Sequence, residues 1–290
     1  MTHATFQTGD ITAIIGDNSA HGEHRAGYNG IWSLTHKAES TNLFVPTVAG
    51  LNFEHIFDGD KRDADGSRKI FFEPRIAPMT LHQRSATEAE LHQEPTPTFH
   101  LESRTSFRLF APHYIDMTFR FKPTQHAFAY DYIGLFWASY INAPDDKSIY
   151  FRGGKLWQQL CTAAHNNQST VRHRDDNFSP KFSPRLGDAL FKNLSPLRFD
   201  LPFFYGLFRD MVFILMFDHN EGIRFTHSPS GGGVNSAHQT TNPAWDWQYI
   251  LPTFEVKKEY SFKVRAVYRP KCGRTEIIGE LERWRQQEEK

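Results

Sequence analysis

The segment Pro243–Gln248, PAWDWQ, combines residue types and spacing that imply chemistry. Side chains alternate faces along an extended strand, so Trp245 and Trp247 share one face and Asp246 points to the other. Tyr249 continues the tryptophan row, which gives that face reason to pack inside. Asp246 then lies with Ala244, Gln248 and Ile250. A carboxylate on an otherwise apolar strand costs free energy unless it is paired or faces a cleft. The expectation is that Asp246 sits at the floor of a pocket, as a general base or ligand acceptor. The plainer alternative is an exposed Asp on the solvent face of a half-buried strand.

Other polar groupings are less specific. Phe71–Ala77, FFEPRIA, reads as an extended segment with Glu73 and Arg75 on one side. A guanidinium fork in a cleft suits a sugar hydroxyl or carboxylate, whereas an exposed Glu–Arg pair is worth little. His100 and Glu102 share a strand face. Glu54 and His55 are adjacent, so on a regular strand they face opposite ways and would act together only across a bulge. The 15 histidines show no HxH or HExxH spacing, so no metal site is legible. The two cysteines, Cys161 and Cys272, read as reduced thiols. Ser228–Gly233, SPSGGG, lacks the lysine and the strand–helix setting of a phosphate loop and reads as a mobile loop over a cleft. No GxSxG nucleophile turn occurs, and no cofactor is expected.

The elements that must position these residues are strands. The chain has 290 residues with 26 Phe, 10 Tyr and 6 Trp, an aromatic content suited to pleated, half-buried surfaces. Its 33 basic and 33 acidic residues balance, giving no field that favours nucleic acid or an anionic membrane, although a local basic groove around Arg172–Arg174 is possible. The longest apolar run, Met211–Phe217, is too short to span a bilayer, and the first residues show no secretory pattern. The reading is one cytoplasmic β domain over 1–290.

Gly30–His36 and Asn42–Pro46 read as a hairpin, followed by an extended piece at Gly50–Gly59 and a charged loop, DKRDADGSR, from Asp60. Met79–Arg84 and Glu88–Gln93 form a second hairpin, with Leu81 and Leu91 inward. His100–Phe110 and Tyr114–Lys122 alternate clearly and make a long hairpin across APHY. Tyr132–Ile141 is apolar on both faces and reads as a central strand. Residues 155–174 read as a hairpin turning at Asn166–Asn167, with a short helix as the alternative. Met211–Asp218 pairs with Gly222–His227, and Trp245–Leu251 and Tyr260–Tyr268 finish the sheets. A helix over about 275–287 places Ile277, Leu281 and Trp284 on one stripe. Closely spaced strands with one late helix predict an antiparallel sandwich, not a βαβ fold.

Taken in order, these pieces resemble the galactose mutarotase-like (aldose epimerase-like) superfamily over residues 27–268. NGIWSLTH with NLFVP is similar to its first hairpin, and FEPRIAP stands where the family carries a substrate-binding arginine. YIDMTFRFKPT, YIGLFWASYI and PAWDWQYILPTFEVKKEYSFKVRAVY follow its central and closing strands. The resemblance implies an antiparallel β-supersandwich that holds a sugar on a concave sheet face. It implies Arg75 and Glu102 binding hydroxyls, and Trp137, Trp245 or Trp247 stacking on the ring. Asp246 would be the base, one methylene shorter than the family's glutamate. The family's acid histidine has no counterpart beside Phe136–Trp137, which leaves His227 as the candidate. Epimerase or lyase chemistry would both use such a pair. A non-catalytic sugar-binding protein is the alternative, and a cupin-type metal enzyme using several histidines a third.

Overall fold

The computed structural model describes residues 1–60 and 72–288. Apart from Asp60, the charged loop read at DKRDADGSR lies outside the described residues. The N-terminus forms a three-stranded sheet of β1 (His3–Thr8), β2 (Ile11–Gly16) and β3 (Gly30–His36). The remaining long strands build two larger sheets. The nine-stranded sheet has the order β11-β10-β14-β15-β20-β8-β7-β6-β5, and the six-stranded sheet β13-β12-β16-β19-β9-β4. In the larger sheet these are β5 (Thr80–Gln83), β6 (Glu88–Gln93), β7 (Leu101–Phe110), β8 (Tyr114–Pro123), β10 (Ile149–Gly153), β11 (Leu156–Leu160), β14 (Phe203–Phe208), β15 (Met211–Phe217) and β20 (Tyr260–Pro270). The smaller sheet contains β4 (Asn52–Phe57), β9 (Ile133–Ala138), β12 (Thr170–His173), β13 (Leu194–Phe199), β16 (Ile223–Ser228) and β19 (Ala244–Leu251). Short strands β17 (Val234–Asn235) and β18 (Thr240–Thr241) pair with each other.

The alternation of β7 and β8 is realised as an antiparallel ladder from Leu101↔Pro123 to Phe110↔Tyr114. Its inward residues Phe107, Leu109, Ile115, Met117, Phe119 and Phe121 enter the core between the sheets. Leu81 and Leu91 face each other across β5 and β6, both buried. β15 is apolar on both faces because both are covered. Phe213, Leu215 and Phe217 enter the inter-sheet core. Val212, Ile214 and Met216 lie under α2 (Arg274–Glu288), whose Ile277, Leu281 and Trp284 close that outer face. The C-terminal helix is thus a lid on a sheet surface that would otherwise be wet and apolar.

Several pairings differ from the sequence reading. β3 pairs with β2, while Asn42–Pro46 forms no strand: its Leu43 amide donates to the Leu34 carbonyl of β3 at 3.0 Å, and Phe44 makes an isolated bridge with Ile141. β11 and β12 are strands, not a helix, but they lie in different sheets, so residues 155–174 are no hairpin. β15 and β16 likewise belong to opposite sheets, and the His219–Asn220 link crosses the sandwich. Phe72 and Ala77 bracket a short helix, α1 (Glu73–Ile76), where an extended segment was expected. Pro74 suits the first turn of a helix, where a missing N–H costs nothing.

Candidate functional site

The face of the six-stranded sheet that points away from the sandwich core carries a cavity of about 390 Å³. It is lined by Tyr28, Glu54, His55, Arg75, Tyr140, His165 and Asp246 among others. Period-2 alternation along β19 supplies Asp246. Trp245, Trp247 and Tyr249 enter the inter-sheet core, and Asp246 emerges opposite Thr226 on the other face. Its Oδ1 accepts a hydrogen bond from the Ser139 amide at 3.0 Å. Burial raises its pKa well above the ordinary carboxyl value, and the nearby Glu54 charge adds to the rise.

Glu54 and His55 both line the cavity because β4 carries a bulge. Phe53 pairs with Trp137 and His55 with Phe136, so Glu54 is the extra residue between them. A bulge breaks strict alternation and re-aims a side chain. Glu54 Oε1 accepts from Arg75 Nη1 at 2.9 Å and from the Tyr140 hydroxyl at 2.5 Å. Its Oε2 lies 3.4 Å from His55 Nε2. Burial raises the Glu54 pKa, against the opposing pull of Arg75 and Tyr140. The Tyr140 phenol is itself held well above its ordinary value by burial and by Glu54. The His55 ring stacks on Phe136 at 4.8 Å.

Arg75 projects from α1, donates through Nε to the Gly27 carbonyl at 2.8 Å, and lies 4.0 Å over the Tyr28 ring. Burial works to lower its pKa, but Glu54 and the tyrosines outweigh that and raise it. Glu73 points elsewhere and accepts from the Thr98 and Phe99 amides. His165, in the β11–β12 connection, joins the cavity wall with Nδ1 2.8 Å from Ser228 Oγ. Ser228 pairs with Ala244, two residues along the ladder from Thr226 and Asp246 and so on the same face.

Of the residues singled out in the sequence, Arg75, Asp246, Glu54 and His55 line one pocket, whereas His227, Glu102 and the three tryptophans do not. His227 sits next to Thr226 on β16, so alternation sends it to the face opposite Asp246. There its Nδ1 meets Thr162 Oγ1 at 2.9 Å and its Nε2 the Lys147 carbonyl at 2.8 Å, and burial lowers its pKa to about 4. An imidazole so enclosed does not reach a ligand in the cavity. Trp137, Trp245 and Trp247 are 0 % exposed. Trp137 stacks on Trp247 at 4.1 Å inside the sandwich, which removes all three from any sugar face. Glu102 lies on β7 in the other sheet, bound to Lys122 at 2.7 Å. The sequence reading missed Tyr140 and His165. His165 had no signal, because a loop delivers it.

This arrangement, two sheets that are antiparallel except for the parallel β12–β13 pair, with a polar cavity on the outer face of the smaller one, is that of the galactose mutarotase-like fold. No protein-family model matches the sequence, and no curated protein matches it. Solved structures do. A galactose mutarotase related enzyme from Lactobacillus acidophilus superposes with a TM-score of 0.54 at 12% identity, over 93% of this chain and 100% of that one. A galactose mutarotase-like protein from Lactobacillus casei gives 0.52 at 10%, over 92% and 100%. The GalM/aldose epimerase homologue from C. elegans gives 0.52 at 9%, over 93% and 99%. Among the described residues, no helix is long and apolar enough to cross a membrane.

Proposed function

We propose that the cavity binds a sugar and that the protein interconverts its anomers by acid–base catalysis. The observation that carries this reading is the convergence of Asp246, Glu54, Arg75 and His165 on one cavity of about 390 Å³. That volume falls among small-molecule sites. Ring opening of a cyclic aldose needs a base for the anomeric hydroxyl proton and an acid for the ring oxygen. Asp246 is the base, since burial raises its pKa and makes its ionised form more basic than an ordinary carboxylate. His165 is the acid, replacing His227, which faces the wrong side of β16. Glu54, held by Arg75 and Tyr140, orders the wall and offers a hydrogen-bond acceptor to a sugar hydroxyl.

The test is polarimetry of freshly dissolved aldoses with the purified protein. Asp246→Asn keeps the side chain's size and should slow anomerisation about 10²-fold or more while the fold survives. Sugar binding without anomerisation by the unaltered protein would leave a carbohydrate-binding module in place of an enzyme. Failure to bind any aldose would remove both readings.

A further inference from the structure

Outside this cavity, three turns bring Asp10, His36 and His113 together. Asp10 lies between β1 and β2, His36 ends β3, and His113 lies between β7 and β8. One donor atom from each lies within 4.8 Å of the others. The turns are already laced by backbone. The Asp10 amide donates to the Pro112 carbonyl at 2.6 Å, and the Lys37 amide to the Asp10 carbonyl at 2.8 Å. Gly9 permits the approach, with φ at +54° and no room for a Cβ against Pro112. None of the three side chains lines the cavity that holds Asp246.

Buried polar atoms nearly always have partners, yet this cluster leaves several without one. His36 is 3% exposed, and its Nε2 has no hydrogen-bond partner. Both ring nitrogens of half-buried His113 are also without one. The gap from His36 Nε2 to Asp10 Oδ2 is 3.7 Å, too long for a hydrogen bond. It is closer to the separation of two donors on one tetrahedral ion, about 3.4 Å for bonds near 2.1 Å. We propose that Asp10, His36 and His113 form a binding site for a first-row divalent cation of the zinc type, pinning the N-terminal sheet to the β7–β8 turn. Two imidazoles and a carboxylate suit such an ion better than calcium or magnesium, which take oxygen ligands.

Binding carries a specific cost. The His36 Nδ1 accepts from the Ala38 amide at 3.0 Å, so the neutral ring holds its proton on Nε2. Coordination through Nε2 moves that proton to Nδ1 and gives up the Ala38 bond. Lys37 Nζ, 2.7 Å from Asp10 Oδ1, yields or shifts, which its 70% exposed side chain allows. Arg269 and Glu280, the other charges that act on His113, oppose each other there.

The full chain, stripped with a chelator and desalted, is titrated with Co²⁺ and then Zn²⁺. The expected result is one Co²⁺ with a tetrahedral visible spectrum, displaced by Zn²⁺, and a higher melting temperature with zinc. The ¹⁵N shift of His36 Nδ1 should change from unprotonated to protonated. His113→Gln and Asp10→Asn should each weaken binding at least about tenfold. His126→Gln should change nothing, since that side chain is 61% exposed elsewhere. Asp10 lies in a solvent-reached turn, so its variant keeps the test open if His113→Gln does not fold. Absence of saturable binding, or binding that survives both variants, overturns the proposal and assigns any uptake to other histidines.

Discussion

Replacing Arg75 by Met isolates the electrostatics of the candidate site. In the folded protein Arg75 Nη1 lies 2.9 Å from Glu54 Oε1, and the Glu54 side chain is 6% exposed against 20% for Arg75. Removing the cation leaves a carboxylate in low dielectric held by the Tyr140 hydroxyl, with His55 Nε2 at 3.4 Å beside its other oxygen. Breaking a buried pair in this way costs about 3–5 kcal/mol. The lower end applies, because Arg75 is partly wet and Glu54 relaxes by taking up a proton. A loss of about 3 kcal/mol lowers the melting temperature by roughly 5–10 °C in a chain of this size. The penalty must depend on pH. Burial already raises the folded pKa of Glu54 above its ordinary 4.5, and losing Arg75 raises it further. A carboxyl raised on folding contributes stability below the unfolded pKa and loses it as pH rises through the folded one. The deficit of Arg75→Met should therefore be small near pH 4.5 and grow towards pH 8. Adding Glu54→Gln should recover most of it and flatten the pH dependence. Urea unfolding of wild type, both single variants and the double variant across that range gives the coupling energy. A deficit below about 1 kcal/mol, as for an exposed pair, would refute the reasoning. An equal deficit at both ends of the pH range, or no recovery in the double variant, would refute it too.

Two further outcomes follow from burial. His227, lowered from 6.5 to about 4, contributes stability above pH 6.5 that is lost as pH falls towards 4. That span corresponds to about 3 kcal/mol, so His227→Gln should be less acid-sensitive than wild type in urea melts between pH 4 and 7. Gly206→Ala would drive a Cβ to 2.3 Å from the Trp245 ring. Overpacking of that kind costs about 1–3 kcal/mol, measurable by thermal melting; a neutral result would mean that Trp245 is not fixed where the inter-sheet core places it.

The strands themselves were readable because alternation is local. β7 and β8 announce their inward faces residue by residue, and β19 announces that Asp246 opposes its tryptophans. The helix stripe Ile277, Leu281 and Trp284 was equally plain, and only the structure shows what it covers, the outer face of β14, β15 and β20. Partner choice was local only in hairpins such as β7–β8. β15 and β16 follow one another closely, yet each pairs across residues distant in sequence, β15 with β20 and β16 with β19. The same holds for the site. Alternation put Asp246 on the cavity side, and by the same rule it put the neighbouring His227 out of reach. The bulge that frees Glu54 from strict alternation exists only in the pairing of β4 with β9. His165 arrives through a connection between two sheets. A sequence thus fixes which way a strand's side chains alternate, because that depends on neighbouring residues alone. Which strands meet, where their register slips and which loop closes over the pocket depend on burying both sheets at once, and that is decided only by the folded chain.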